Sequence, residues 1–140
     1  MIIKVERPPL FDLIDAKFNV RGKPVLFAWW PDIIYNPENV GRATLESLFD
    51  HEAVHCRRQA SEPEKWWRRY VADDRFRIEE EIPAHVAEFA WVCRSWSNRD
   101  TRARALMAIA RRLSGPLYGG LISYGGAMRT IRLGAKEIAR

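Results

Sequence analysis

The chain has 140 residues, enough for one domain of ordinary size, and 47% of them are apolar, so a packed interior is expected. Eight Gly and eight Pro are close to average usage, which excludes collagen-like and low-complexity chains. The net charge of +5 suits a nucleic-acid surface or an acidic partner, but the excess is small and scattered. We therefore expect a single domain over residues 1–140 with a mixed-charge surface.

The sequence has neither a membrane-spanning run nor a secretory signal, and its two cysteines do not suggest a disulfide framework. No apolar run approaches the roughly 18–20 residues that cross a bilayer. Lys4, Glu6 and Arg7 interrupt the N-terminal stretch, where a secretory signal needs an apolar core. Cys56 and Cys93 lack a C-x-x-C spacing and are expected to be free thiols. These features predict an unsecreted, soluble protein with no membrane partner.

The N-terminal part of the chain favours short extended segments. Aromatic and β-branched residues, bounded by Pro and Gly, are typical of strands. Apolar residues at helical spacing before the first Gly indicate one short helix. Strands are predicted over residues 1–5, 25–30 and 33–35, and the helix over residues 10–18. A small N-terminal β-sheet is therefore expected.

From about residue 44 onward the periodicity is helical. Residues 44–59 place apolar side chains at spacings of four, four and three, and Arg57 and Arg58 lie at the end, as the helix dipole prefers. Further helices are predicted over about residues 64–71, 80–96, 101–113 and 127–139. The predicted fold class is α+β, mainly α, with a small N-terminal sheet followed by a helical core.

The clearest chemistry lies in the helix predicted over residues 44–59. His51 and His55 are four residues apart, so both imidazoles leave the same face of the helix and can bind one tetrahedral ion. Glu52 is placed to bind a metal-held water and accept its proton, which is the H-E-x-x-H arrangement of zinc hydrolases. The alternative is an exposed His-Glu-His surface, without a metal, on a helix that packs on the core.

A catalytic zinc needs a third protein ligand, and the candidates cluster in residues 78–88. Because Pro83 lacks an N–H, we expect it in the first turn of the helix predicted from residue 80. Glu81, His85 and Glu88 then share one face. Glu81 is the first candidate, and His85 is the alternative, which would give a three-histidine site. The two glutamates before Glu81 are expected to be solvated.

Two tryptophan pairs allow two interpretations. Trp29-Trp30 and Trp66-Trp67 are interpreted first as core or rim packing, the usual role of aromatic residues near strands and helices. The alternative is a wall for the substrate or a protein interface, where tryptophan is a frequent anchor. The strand predicted over residues 25–30 is also a candidate edge for pairing with an extended peptide.

Two tyrosines and an arginine-rich region carry further hypotheses. Tyr118 and Tyr124 lie in or beside a Gly-rich stretch. Each is interpreted first as a structural residue, and the alternative is a donor of a hydrogen bond to a tetrahedral intermediate. The arginines of residues 57–77, including Arg77, are expected to form a solvated face, and the alternative is a surface that binds an acidic substrate or a nucleic acid. We therefore do not expect a nucleic acid as the partner; a steep salt dependence of DNA affinity would favour one.

The motifs together resemble the small phage and prophage zincin-like proteins, which are similar to minimal gluzincin metallopeptidases. The resemblance rests on residues 51–59, on the Trp/Arg/Tyr segment 66–70 and on residues 76–84, where Glu81 stands three before Ala84. The family often has another Glu just before this Ala, where this chain has Pro. Softer matches over residues 34–37 and 113–119 extend the resemblance to roughly residues 25–130.

The resemblance implies a gluzincin-like fold with a zinc site, and Glu81 matches its ligand position beside His51 and His55. The expected protein binds one Zn²⁺ per chain and is a metallopeptidase that hydrolyses a peptide or protein substrate through a metal-activated water, with Glu52 as the base. The alternative is a non-catalytic phage virion or assembly protein with a structural zinc and phage structural proteins as partners. Under either interpretation, the expected location of the protein is the bacterial cytoplasm or the virion. No particular substrate is implied.

Overall fold

A computed structural model describes residues 1–139. Three short strands, β1 (Ile2–Lys4), β2 (Phe27–Trp29) and β3 (Ile33–Tyr35), form one sheet in the order β1-β3-β2. Strand β1 runs parallel to β3, and β2 runs antiparallel to it, with Ala28 opposite Ile34. Helix α1 (Phe11–Phe18) separates β1 from β2 in the chain.

Five helices follow the sheet. They are α2 (Arg42–Gln59), α3 (Pro63–Ala72), α4 (Asp74–Ser95), α5 (Arg99–Leu113) and α6 (Tyr124–Ile138), with a 3-10 turn over Pro116–Tyr118 between the last two. The predicted class, α+β and mainly α with a small N-terminal sheet, is confirmed. Within residues 1–139 no helix is long and apolar enough to cross a membrane.

Helix α4 begins earlier than the sequence predicted. It starts at Asp74 instead of near residue 80, because the side chain of Asp73 accepts a hydrogen bond from the backbone N–H three residues on. Pro83 therefore lies in the helix interior, and its predicted place in the first turn is wrong. Burial of Arg77 and Ile78 in the added turns stabilises this start, although proline costs the helix a hydrogen bond.

Other boundaries differ from the prediction by a few residues. Strand β2 is shorter than residues 25–30, and α6 begins at Tyr124 because Ser123 caps it through the N–H of Gly126. Cys56 and Cys93 are free, as predicted.

Two apolar clusters flank the centre of the molecule. One lies between α4, α5 and α6 and includes the fully buried Leu113 and Ile131. The other is aromatic and packs the sheet against α1 and α3, with Trp29 and Trp67 stacked at 6.3 Å between ring centroids. Trp66 is also buried, whereas Trp30 is exposed. Burial of three of the four tryptophans agrees with the packing interpretation, although Trp66 and Trp67 also line a cavity.

Gln59, the last residue of α2, ties this helix to the sheet. Its side-chain amide donates to the Ala28 carbonyl at 2.9 Å and accepts from the Trp30 backbone N–H at 2.7 Å. The indole N–H of Trp67 donates to the same Ala28 carbonyl at 2.9 Å. These bonds occupy part of the outer edge of β2 and set the position of α2 relative to the sheet.

Arg77 is a second internal tie and is buried, so the solvated position predicted for it is wrong. Its guanidinium donates to the carbonyls of Tyr70, Val71 and Leu117 and forms an ion pair with Asp74. A buried charge needs such partners, because an uncompensated one is costly. Arg77 thereby joins the end of α3 to the turn that follows α5.

Replacing this arginine tests the tie. We expect Arg77→Met to lower the free energy of unfolding by about 2–4 kcal/mol, because buried carbonyls lose their donors. The matched control is Arg75→Met, two residues earlier and exposed, with an expected change within about 0.5 kcal/mol. Urea denaturation measures both values, and equal effects of the two variants would contradict the role of Arg77.

Candidate metal centre

Three buried side chains on α2 and α4 bring donor atoms within 4.8 Å of one another: His51, His55 and Glu81. The Oε1 atom of Glu81 lies 2.7 Å from Nε2 of His55 and 3.3 Å from Nε2 of His51. The two imidazoles lie side by side because a spacing of four residues is about one helical turn. This group can hold a metal ion.

The contacts of Glu81 Oε1 fit a shared ion better than they fit hydrogen bonds. Although this oxygen lies close to both imidazoles, it is buried and has no hydrogen bond of acceptable geometry within residues 1–139. A buried oxygen without a partner costs free energy, and a bound ion removes that cost. Two imidazole nitrogens and one carboxylate are donors that zinc uses in catalytic sites and that mononuclear iron also uses. The residues present therefore fit a metal.

A carboxylate and an arginine orient His51. Its Nδ1 lies 2.9 Å from Oε1 of Glu88, and the second oxygen of Glu88 accepts a hydrogen bond from Arg112 of α5. When Glu88 accepts the Nδ1 proton, the Nε2 lone pair of His51 is directed to the donor group, which is the tautomer that a metal ligand needs. The sequence predicted Glu88 on the same face of α4 as Glu81 but gave it no role. No motif or spacing in the sequence pointed to Arg112.

Tyr70 of α3 holds the other oxygen of the Glu81 carboxylate. Its hydroxyl donates to Oε2 at 2.8 Å, which leaves Oε1 for an ion. Burial and then the charge of Glu81 raise the pKa of Tyr70 well above its usual value, so it remains a donor. Sequence reasoning missed this role because a tyrosine in an aromatic segment cannot be told from a core residue without its neighbours.

The electrostatics of the group favour a positive charge at its centre. Burial alone would lower the pKa of His51, but the carboxylates of Glu81 and Glu88 beside its two nitrogens raise it to about 10. Burial likewise opposes ionisation of Glu81, yet His55 and His51 hold its pKa well below the usual range. The site thus attracts a cation, which a metal ion supplies without the proton.

Glu52 differs from Glu81 although both line the same cavity. Burial raises the pKa of Glu52, and the neighbouring His51 and His55 offset this only in part. Two carboxylates in one site therefore differ in proton affinity, as is typical where one is a ligand and the other exchanges protons.

His85, the alternative ligand, is engaged elsewhere. Its Nδ1 lies 2.7 Å from the backbone carbonyl of Glu81, to which it donates, and its Nε2 is buried without a partner within residues 1–139. Burial lowers the pKa of His85 to about 4. Within residues 1–139, the group of side chains that could hold a metal ion includes Glu81 but not His85. His85 thus lies beside His51, with the ring centroids 4.9 Å apart, but Glu81 and not His85 completes the donor group with the two histidines of α2.

The two candidate tyrosines lie in different environments. Tyr118 is buried, lines the cavity with Glu52, and has a pKa raised well above its usual value by burial and by Glu81. Tyr124 is 39% exposed at the start of α6, with Arg111 over its ring, and it is not among the described residues that line the cavity. The structure therefore does not support the alternative role of Tyr124 as a hydrogen-bond donor at the site, because α6 begins there and leaves the ring at the surface.

One of the two glutamates that were expected to be solvated is buried. Glu80 accepts hydrogen bonds from the indole N–H of Trp66 at 2.7 Å and from Arg58 at 2.6 Å. Glu79 is exposed as predicted. Glu80 therefore joins α2, α3 and α4 beside the donor group without belonging to it.

Comparison of the chain with protein-family models, with curated proteins and with solved structures finds no match. The candidate metal centre therefore rests on the geometry of the residues themselves.

The contact between Glu88 and His51 yields a prediction on metal affinity. We expect Glu88→Ala to weaken binding of a divalent ion by about 10–100-fold, because His51 loses the group that fixes its tautomer and ring orientation. Competition with a chromogenic chelator measures the affinity. The matched control is Glu80→Ala, which removes an equally buried carboxylate from the same helix and should lower stability but leave metal affinity within a few-fold. Similar losses of affinity in both variants would contradict the orienting role.

Proposed function

We propose that the protein is a zinc-dependent metallopeptidase whose ion is held by His51, His55 and Glu81. The observation that carries this proposal is the buried Oε1 of Glu81 beside the two imidazole nitrogens, with Glu52 lining the same cavity. When bound, zinc polarises a substrate carbonyl and lowers the pKa of water. We prefer zinc to iron because Glu52, a proton acceptor, lies in the same cavity, and zinc with a neighbouring proton acceptor is an arrangement suited to hydrolysis.

Glu52 is the proton acceptor in this proposal. Its carboxylate takes the proton of the attacking water and passes it to the amine that leaves. Burial raises its pKa, which makes it a better acceptor than an ordinary carboxylate. Glu81 cannot take this role, because Tyr70 and the histidines stabilise its ionised form.

Tyr118 is the proposed donor to the oxygen that gains charge during attack. It lines the cavity with Glu52, and burial keeps its hydroxyl protonated. A donor positioned before the reaction stabilises this charge without reorganisation. Tyr70 has its hydrogen bond to Glu81 and is a positioning residue.

Two observations favour a catalytic centre over a structural zinc site in a virion or assembly protein. The group within residues 1–139 has three protein donors, whereas structural zinc sites have four. A cavity of about 470 Å³ adjoins these donors and has the size of a ligand pocket.

Removing the proton acceptor tests the proposal directly. We expect Glu52→Gln to keep one zinc per chain and to lose peptide hydrolysis by at least about 100-fold, because the amide cannot accept the proton. Digestion of a broad peptide library, read by mass spectrometry, is compared for wild type, variant and chelated wild type, and elemental analysis gives the zinc content. Glu46→Gln, on the exposed part of the same helix, is the control and should change neither.

Each outcome of this experiment has a distinct meaning. Hydrolysis by Glu52→Gln at the wild-type rate would contradict the mechanism. A zinc-loaded wild type that cleaves no peptide would favour the structural-zinc alternative. Stoichiometric zinc in His51→Ala or His55→Ala would remove those residues from the ligand set.

The two tyrosines supply a second test. We expect Tyr118→Phe to lower kcat by about 100-fold and to change KM by no more than a few-fold, because the lost hydrogen bond forms mainly during the reaction. Tyr124→Phe should behave as wild type, since this residue lies at the surface. Steady-state kinetics on one cleaved peptide measures both variants. An unchanged kcat in Tyr118→Phe would contradict its proposed role.

A further inference from the structure

The cavity beside the metal donors has mainly apolar walls. Helix α1 contributes Ile14 and Phe18, the segment before β2 contributes Leu26, and α3 contributes Trp66 and Trp67. All of these side chains except Leu26 belong to the aromatic cluster or pack against it, and the two histidines and Glu52 line the same cavity. An apolar volume continuous with the reacting groups is suited to a part of the substrate next to the bond that is cleaved.

The charges around this cavity are arranged asymmetrically. Apart from the donor group and Glu52, the charged side chains that line it within residues 1–139 are Lys23 and Arg112, and both are basic. Arg112 is paired with Glu88, whereas Lys23 has no ion pair among these residues. The carboxylate of Glu81 accepts a hydrogen bond from Tyr70 and lies beside the imidazoles of His51 and His55. Once Zn²⁺ is bound, its two positive charges offset those of Glu81 and Glu52, so a cationic side chain would lose its hydration here and meet the like charge of Lys23.

We propose that this cavity binds a large uncharged apolar side chain of the substrate, and that Lys23 excludes basic side chains from it. The proposal rests on the proposed function, because it takes the bound molecule to be a peptide. Removal of an apolar side chain from water provides the affinity, and the aromatic walls provide the surface that covers it. The volume of about 470 Å³ accommodates a side chain as large as that of phenylalanine.

Binding can be measured without hydrolysis. Hydroxamates of glycine, leucine, phenylalanine, lysine and glutamate are titrated against the zinc-loaded full chain by isothermal calorimetry. We expect the phenylalanine and leucine compounds to bind at least about tenfold more tightly than the glycine compound, and the lysine compound no more tightly than glycine. Equal affinity of all five compounds, or binding of none, would overturn the proposal.

Two variants assign the preference to named residues. Val20 is a half-buried wall residue, and Val20→Trp narrows the cavity and should abolish the tenfold preference for phenylalanine. Lys23→Glu should strengthen binding of the lysine hydroxamate by at least about fivefold, because it supplies an opposite charge. Lys17→Glu is the control: it makes the same change at an exposed α1 residue that is not among the described lining residues. Equal effects of Lys17→Glu and Lys23→Glu would overturn the role of Lys23.

The failure of this inference differs from the failure of the proposed function. A preference for phenylalanine in a protein that cleaves no peptide would support the apolar site and refute the peptidase. Cleavage of peptides together with hydroxamate affinities that ignore the side chain would refute the apolar site and support the peptidase.

Discussion

The buried carboxylate of Glu81 has to be compensated by its neighbours, because an ionised group taken out of water costs several kcal/mol. Tyr70 donates to one of its oxygens, and the imidazoles of His51 and His55 lie beside the other. This requirement holds α2, α3 and α4 in one arrangement. It also leaves Oε1 of Glu81 without a hydrogen bond within residues 1–139, in a group that could hold a metal ion.

Each donor is supported from another part of the chain. Glu88 orients His51 and is itself paired with Arg112 of α5, while Arg77 holds the end of α3 that carries Tyr70. Arg112 thus offsets the charge of Glu88, and the buried Arg77 acts on the centre through the backbone of the α3 end. These contacts fix the orientation of the donors in a group that could hold a metal ion, and the cavity beside it has mainly apolar walls.

Local sequence was sufficient for the features that depend on one element alone. A spacing of four residues within a helix places His51 and His55 together whatever the rest of the fold does, and Glu52 follows from the same geometry. The fold class was predictable because strand and helix periodicities differ. The shared face of Glu81, His85 and Glu88 was correct, although the helix start inferred from Pro83 was wrong, because α4 extends to Asp74.

Features that depend on packing between distant elements were decided only by the tertiary structure. Glu81 and His85 share one face of α4, and only the placement of α2 against it brings Glu81 to the histidines. The same holds for Tyr70, whose role needs α3 beside α4, and for Tyr118, which the turn after α5 carries to the cavity while Tyr124 stays at the surface. A helix pattern specifies which side chains share a face, but the partner of that face depends on the packing of the whole chain.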